Sequence, residues 1–192
     1  MLIQKRAKGQ SSVESTRQAT TELPPDFSEW FHDHQPTVYR YVRFRVATRE
    51  AAEDVTSEVF MKALRSLSRY DPNRASPRTW LLRIARNAVT DHLRALKRRG
   101  SLHVSLDRIP DLVADVPSQD ERIIKQERIQ LLLNAAKTLR SGDQEVVSLR
   151  YGGGLSNGEI ADALGISHNA VAVRLHRALA RLKTAVSELS TR

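Results

Sequence analysis

The segment SPRTWLLRIARNAVTDHLRALKR, residues 76–98, is the part of the sequence that best defines the fold. Ser76 followed by Pro77 is typical of a helix start, because serine caps the first turn and proline has no backbone N–H to satisfy there. At about 100° per residue, the aliphatic side chains fall on one face. That predicted buried face holds Leu81, Leu82, Ile84, Ala85, Ala88, Val89, Leu93, Ala95 and Leu96. The segment therefore predicts a long amphipathic helix in a helical core.

The opposite face of this predicted helix is strongly basic. It holds Thr79, Arg83, Arg86, Asn87, Thr90, Arg94, Lys97 and Arg98, with Trp80 and Asp91 at the boundary. Charged stripes are usually solvated surface, but five cations against one carboxylate are too unbalanced for pairing within the helix. Like charges repel unless an anion neutralises them, so the pattern favours contact with nucleic-acid phosphates.

Two more helices are predicted upstream. Asp26 and Glu29 can form a capping box for a helix that ends at about Val46, and Thr48 can cap the next helix. In that second helix the predicted buried side is Ala52, Val55, Val59, Phe60, Ala63, Leu64 and Leu67, and the opposite side is Asp54, Glu58, Met61, Lys62 and Arg65. The sequence shows no strict polar-apolar alternation over more than a few residues, so the predicted fold class is all-α.

A helix-turn-helix pattern follows near the C terminus. Ser156 and Glu159 fit a capping box, Ala161 is small where two helices would cross, and Gly165 suits a left-handed turn. Ser167 can cap a second helix, with Val171, Leu175, Ala178, Leu179 and Leu182 inward and Asn169, Val173, Arg174, His176, Arg177 and Arg181 outward. An ordinary helical hairpin is the alternative. The coincidence of cap, alanine, glycine and basic face favours a DNA-reading helix.

Composition and charge agree with a nucleic-acid partner. The 192 residues include 31 Lys and Arg against 22 Asp and Glu, which leaves a net charge of +9. The absence of cysteine excludes a disulfide framework and a thiolate site, and it fits a reducing cytoplasm. No apolar run approaches the roughly 20 residues that span a bilayer, so we expect a cytoplasmic protein without membrane insertion.

Changes in composition divide the chain into four predicted segments. Residues 1–26 are polar, lack periodicity and predict a disordered N-terminal tail. Residues 27–99 carry 15 basic and 8 acidic side chains and 123–192 carry 10 and 6, so both predicted helical domains are basic, with net charges of +7 and +4. Residues 100–122 carry 2 basic and 5 acidic side chains with two prolines, which predicts an extended acidic linker.

The ordered blocks in these segments resemble those of the extracytoplasmic-function (ECF, group 4) sigma factors of bacterial RNA polymerase. AAEDVTSEVFMKAL, residues 51–64, is similar to the polymerase-binding helix of sigma region 2, and residues 76–94 are similar to its promoter-melting and minus-10 helix. GLSNGEIADALGISHNAVAVRLHRALARLK, residues 154–183, resembles region 4, which binds the minus-35 element. The resemblance implies a region 2 domain at 27–99 and a region 4 domain at 123–192.

The resemblance assigns three sets of binding residues. The polymerase-binding set is Asp54, Ser57, Glu58, Met61, Lys62 and Arg65, with Ser57 where the family usually has glutamine. The minus-10 set is Tyr70, Asp71, Asn73, Arg74, Trp80, Arg83, Arg86, Asn87, Arg94, Lys97 and Arg98. The minus-35 set is Ser167, His168, Asn169, Val173, Arg174 and Arg177. The implied partners are core RNA polymerase and promoter DNA, with an anti-sigma factor left open. The free protein is expected to be a monomer without a cofactor.

Other function classes fit the sequence less well. His32 and His34 have no third metal ligand in register, and the triplet Gly152, Gly153 and Gly154 lacks the lysine and hydroxyl of a phosphate-binding loop. We therefore predict no catalytic site and no enzyme. The alternatives are a stand-alone helix-turn-helix regulator, which would bind a palindrome as a dimer, and a polymerase-binding factor that does not read promoters. The first would not need the basic face at 83–98, and the second would not need the recognition helix.

Overall fold

The computed structural model describes residues 27–100 and 119–190, and regular structure in these two ranges is helical throughout. The helices are α1 (Phe27–Arg43), α2 (Arg49–Ser66), α3 (Pro77–Arg98), α4 (Gln119–Lys137), α5 (Ser141–Val147), α6 (Asn157–Leu164) and α7 (His168–Ser190). A 3-10 turn, Leu67–Arg69, follows α2, and a π-helical turn, Ser148–Gly152, follows α5. The all-α prediction is confirmed.

The predicted starts of α2 and α3 are both observed. The hydroxyl of Thr48 accepts a hydrogen bond from the backbone N–H of Ala51 at 3.2 Å. The hydroxyl of Ser76 accepts one from the backbone N–H of Thr79, also at 3.2 Å, and Pro77 is the first residue of α3. Each cap satisfies a donor that the helix itself leaves free.

The helix-turn-helix signals are also observed. Ser156 and Glu159 form the reciprocal capping box at the start of α6. Gly165 ends α6 with a φ of 65°, a left-handed conformation that glycine adopts without steric penalty. The hydroxyl of Ser167 accepts a hydrogen bond from the N–H of Ala170 at 3.1 Å and so caps α7. The tight turn between α6 and α7 thus follows from local sequence.

Two predicted boundaries need correction. Helix α1 ends at Arg43 and not at about Val46, because the backbone forms a tighter turn there, in which the N–H of Arg45 donates to the carbonyl of Val42 at 2.8 Å. The Arg43 guanidinium donates to the Val46 carbonyl at 3.3 Å in the same turn. Helix α4 begins at Gln119, inside the predicted linker 100–122, where the acidic residues that follow Gln119 suit the positive end of a helix dipole. Residues 1–26 and 101–118, which include the predicted tail, its Asp26 cap and most of the linker, lie outside the described residues.

Helices α1, α2 and α3 form the N-terminal helical unit, and α4 to α7 form the C-terminal one. The first unit is packed around Trp30, Val38, Tyr41, Val42, Val55, Val59, Phe60, Leu81, Leu82, Ala85 and Val89. The second is packed around Leu133, Ala135, Ala136, Val146, Leu149, Leu155, Ile160, Val171, Leu175, Ala178 and Leu182. The two cores are continuous, because α1 packs against the π-helical turn and α3 packs against α6.

Three predictions of side-chain burial were wrong. Leu64, predicted inside, is 49% exposed, and Leu179 on α7 is 38% exposed. Thr79, predicted on the outer basic face, is only 6% exposed because the C-terminal unit covers it. Periodicity gives the direction of a side chain, but not which surface packs over it.

Candidate polymerase-binding and DNA-binding surfaces

The outer side of α2 carries an apolar patch rimmed by charge. Met61 is 50% exposed and Leu64 49%, and the neighbouring Phe31 of α1 is 47% exposed with its ring 4.8 Å from that of Phe60. The rest of this α2 surface consists of the predicted residues Asp54, Ser57, Glu58, Lys62 and Arg65, of which Lys62 is half-buried and the others are exposed. A patch of this kind on a soluble unit is typical of a protein-binding site. Sequence periodicity missed Phe31 and Leu64.

The basic face of α3 is largely open. Arg83, Asn87, Arg94, Lys97 and Arg98 are exposed. Arg94 lies 3.7 Å from Asp91, but both side chains are well exposed, so this ion pair is weak. Arg86 differs from the others because it is half-buried and points toward the C-terminal unit, with its guanidinium 3.4 Å from the carbonyl of Ala163.

The loop at residues 70–75 is held in place by an aromatic cluster formed by Trp30, Tyr70 and Trp80. The ring of Tyr70 lies 4.8 Å from that of Trp30 and 5.2 Å from that of Trp80, and its hydroxyl donates to the carbonyl of Ala75 at 3.0 Å. Burial, and secondarily the nearby Asp71, raise the pKa of the Tyr70 phenol, which keeps it a donor. Tyr70 and Trp80, predicted to touch DNA, are thus half-buried supports of the loop.

The exposed part of this loop carries the other loop residues of the predicted minus-10 set. Asp71, Asn73 and Arg74 are exposed, and the carboxylate of Asp71 accepts a hydrogen bond from the N–H of Asn73 at 2.9 Å. This bond forms a turn that fixes the loop tip beside the start of α3. These exposed side chains form a polar rim at one end of the basic face.

The N-terminal part of α7 exposes the residues of the predicted minus-35 set. Ser167, His168, Asn169, Val173, Arg174 and Arg177 are all exposed, with Val173 at 39%. The opposite side of α7 packs into the core through Val171 and Leu175. One face of this helix is therefore committed to the fold and the other is free to enter a groove.

One residue from each of the two predicted DNA-binding sets lines the same cleft. Arg86 of α3 and Arg174 of α7 both line a cavity of about 240 Å³ between the two helical units, together with Ser141, Gly142, Glu145, Leu164 and Ile166. The structure thus brings together residues that the sequence placed in separate sites.

Among the described residues, no group of three or more His, Asp or Glu side chains could hold a metal ion. In the same part of the chain no helix could cross a membrane.

Comparisons with known proteins agree with the two helical units. The Sigma-70 region 2 family matches residues 30–99, and the Sigma-70 region 4 family matches residues 129–182. The ECF RNA polymerase sigma factor ShbA of Streptomyces griseus is 32% identical over 178 residues, which cover 90% of each chain. CarQ of Myxococcus xanthus, an RNA polymerase sigma factor, is 30% identical over 164 residues, 85% of this chain and 90% of CarQ. BldN of Streptomyces coelicolor, an ECF sigma factor, is 33% identical over 156 residues, 81% of this chain but 58% of BldN.

Solved structures share the fold. CnrH, seen in complex with the cytosolic domain of CnrY, matches with a TM-score of 0.61 and 25% identity over 84% of this chain and 88% of CnrH. The sigma factor RpoE, seen with the anti-sigma factor NepR from Bartonella quintana, matches with a TM-score of 0.68 and 20% identity over 84% and 97% of the two chains. The two helical units described above are those of a sigma-70 type protein. Within that class, the chain belongs to the ECF RNA polymerase sigma factors.

Proposed function

We propose that the chain binds core RNA polymerase through the α2 surface and directs promoter-specific initiation. In this proposal α7 binds minus-35 DNA, and α3 with the loop 70–75 captures the melted minus-10 element. The observation that carries the proposal is the presence of two exposed basic helix faces on two helical units, beside a third surface that is apolar at its centre. A stand-alone regulator needs one DNA-binding face and no polymerase surface.

The proposal also covers the domain boundaries of the chain and the compartment in which it acts. Residues 27–99 serve as region 2 and the helices from α4 onward as region 4, with the residues before Gln119 as the connector between them. The chain acts by binding and positioning and catalyses no reaction itself, as sigma factors are regulators and not enzymes. Its site of action is the cytoplasm, where bacterial polymerase and promoter DNA are found.

An anti-sigma factor is part of the proposal. CnrH is seen with the cytosolic domain of CnrY, and RpoE with the anti-sigma factor NepR. We propose a protein partner of the same class for this chain, which would compete with polymerase for the exposed α2 surface.

Analytical ultracentrifugation of the pure chain, alone and with core polymerase, tests the proposed binding to polymerase. We expect a monomer that joins core at one copy per enzyme, whereas a stable dimer that ignores core would support the regulator.

The basic face of α3 divides into residues that set affinity and one that sets specificity. Exposed cations contact phosphates regardless of sequence, whereas the amide of Asn87 can form paired hydrogen bonds with a base edge. Arg94→Ala should weaken binding to all promoters and lower the salt slope by about one counterion. Asn87→Ala should instead change the ranking of minus-10 variants. Binding of the holoenzyme to a panel of minus-10 sequences at several salt concentrations measures both, and equal losses for Asn87→Ala across the panel would contradict this division.

Val173 is the clearest specificity candidate on α7. Its β-branched side chain is 39% exposed, so it adds little to the stability of the core. Its methyl groups are suited to contact the methyl group of a thymine in the major groove. Val173→Ser should reduce the preference for thymine at one minus-35 position by about 1 kcal/mol, with core binding unchanged. Ala180→Ser, on the exposed part of α7 beyond the minus-35 set, is the matched control. All four bases at each minus-35 position should be scanned, and a Val173→Ser profile identical to wild type would remove Val173 from the minus-35 set.

A further inference from the structure

Two arginines from different helical units line the cleft between those units. Arg86 belongs to α3 and Arg174 to α7, and the cavity that both line has a volume of about 240 Å³. The guanidinium of Arg86 donates to the carbonyl of Ala163 at 3.4 Å, a long hydrogen bond that uses one of its N–H donors. Arg174 forms no ion pair with any residue in the described ranges. The cleft therefore contains cationic donors that the described chain does not satisfy.

The local charge of the cleft is positive. Among the residues that line the cavity, Glu145 carries the only carboxylate. That carboxylate already has close partners, because the phenol of Tyr41 donates to one of its oxygens at 2.7 Å and the buried guanidinium of Arg45 lies 2.9 Å from the other. Arg86 lies farther from it, at 3.8 Å. With Arg174, three arginines against one carboxylate leave a local charge of +2.

The cleft is also held in shape by close contacts between the units. Tyr41 binds Glu145 through its phenol, while its backbone contacts Gly152 so closely that a Cβ added there would lie 2.9 Å from the Cα of Tyr41. A Cβ added at Gly153 would lie 2.7 Å from the side chain of Leu82. Only glycine permits these approaches. A ligand of the cleft thus meets walls that are already in place, which reduces the entropic cost of binding.

The size and donors of the cleft suit a small, doubly charged anion. Its volume is below the roughly 300–1,000 Å³ of pockets that enclose a drug-sized ligand. A guanidinium presents a planar fork of N–H donors that matches two oxygens of a phosphate group. A phosphate monoester carries about −1.5 to −2 charge at pH 7, which matches the local charge of +2. Leu164 and Ile166 line the same cavity and offer an apolar surface to the group that the phosphate carries.

We propose that this cleft binds a compact phosphate dianion, either inorganic phosphate or the phosphate group of a small monoester, between Arg86 and Arg174. Such a ligand contacts both helical units at once. Because the two arginines also belong to the two predicted DNA-binding sets, a bound phosphate withholds both of them from promoter DNA. This consequence rests on the proposed function, whereas phosphate binding is a property of the free chain.

Isothermal titration calorimetry of the full chain tests the site with three probes: inorganic phosphate, AMP and adenosine. The ionic strength is kept constant with chloride, because exposed cations also attract anions without a defined site. We expect saturable binding of phosphate and of AMP at one site per chain, and none of adenosine. Tighter binding of AMP than of phosphate would identify a monoester as the ligand, and the reverse order would identify inorganic phosphate.

Alanine variants locate the bound anion. Arg86→Ala and Arg174→Ala should each weaken phosphate binding by about 10-fold or more, because each removes charge-assisted hydrogen bonds. Arg94→Ala on α3 and Arg177→Ala on α7 are the matched controls, since they remove the same charge from the same helices at exposed positions outside the cavity. Both controls should stay within about twofold of wild type.

Gly142→Asp is a second test that keeps both arginines and changes neither DNA-binding set. A Cβ added at Gly142 would lie 3.6 Å from Nη1 of Arg174, an ordinary contact, so the new carboxylate would pair with Arg174 and repel phosphate. Phosphate binding should fall by about 10-fold or more. Gly158→Asp is the matched control, because Gly158 is also the second residue of its helix and its added Cβ would meet nothing closer than 3.9 Å. Circular dichroism checks that each variant is folded.

The outcomes separate the phosphate site from the proposed function. No saturable binding of phosphate or AMP, or equal losses for the cleft variants and their controls, would overturn the site. Analytical ultracentrifugation of the same samples with core polymerase measures the proposed function independently. A chain that binds phosphate but never joins core supports the site and rejects the proposed function, and a chain that joins core without binding phosphate does the reverse.

Discussion

Leu64→Asp should weaken binding to core RNA polymerase by about 100-fold. Leu64 is 49% exposed next to Met61 at the centre of the α2 surface, so it would be covered when this surface meets its partner. An aspartate there would be buried against the polymerase without a partner charge, which costs about 3 kcal/mol or more. Folding should be little affected, because the side chain already faces solvent. Fluorescence anisotropy of a labelled chain titrated with core enzyme measures the change.

Leu179→Asp is the matched control for this substitution. It makes the same chemical change at a leucine of α7 that is 38% exposed, outside all three proposed binding sets. Its affinity for core should stay within about twofold of wild type, because an unburied aspartate carries little penalty. Similar losses for the two variants, or none for Leu64→Asp, would show that the α2 surface is not where the polymerase binds.

Trp30→Ala should destabilise the protein by about 3 to 5 kcal/mol. Trp30 is 5% exposed and its ring contacts both Tyr70 and Trp80, so its loss opens a cavity where the loop 70–75 is held against α3. Phe31→Ala, the neighbouring residue with a 47% exposed ring, should cost at most about 1 kcal/mol. Urea unfolding followed by circular dichroism gives both values.

The two aromatic variants also distinguish an effect on the loop 70–75 from an effect on polymerase binding. In the Trp30→Ala protein the loop should lose protection from hydrogen exchange before the rest of the N-terminal unit unfolds, since its aromatic support is gone. Phe31→Ala should keep the loop protected and instead reduce binding to core, because Phe31 extends the α2 surface. Equal unfolding free energies for the two variants would mean that the aromatic cluster does not support the loop.

The local features of this fold could be predicted from the sequence because they depend on neighbouring residues. Thr48, Ser76 and Ser156 cap helices as their side chains dictate, and Gly165 turns the chain where only glycine fits easily. The family resemblance followed from the order of such blocks. The predicted binding residues of α7 and most of those of α3 are on open faces, but their roles in binding DNA remain predictions.

The features that the sequence did not reveal depend on contacts between distant residues. Leu64 and Thr79 were misplaced because helical periodicity does not show which neighbour covers a face. The role of Gly152 depends on the backbone of Tyr41, more than 100 residues away, and no local pattern reports that distance. Glu145 likewise has no motif around it. The one signal in the sequence was the triplet Gly152, Gly153 and Gly154. It lacks the lysine of a phosphate-binding loop, so close packing is the remaining explanation for it.

The most direct test of the account is run-off transcription with purified core RNA polymerase and this chain on a fragmented library of genomic DNA from the source bacterium. We expect defined transcripts that appear only when both proteins are present and that start downstream of shared minus-35 and minus-10 sequences. Arg174→Ala should abolish the minus-35 preference and leave core binding intact. No chain-dependent transcript from any template, together with binding of the isolated chain to a palindrome as a dimer, would contradict a sigma factor and favour a stand-alone regulator.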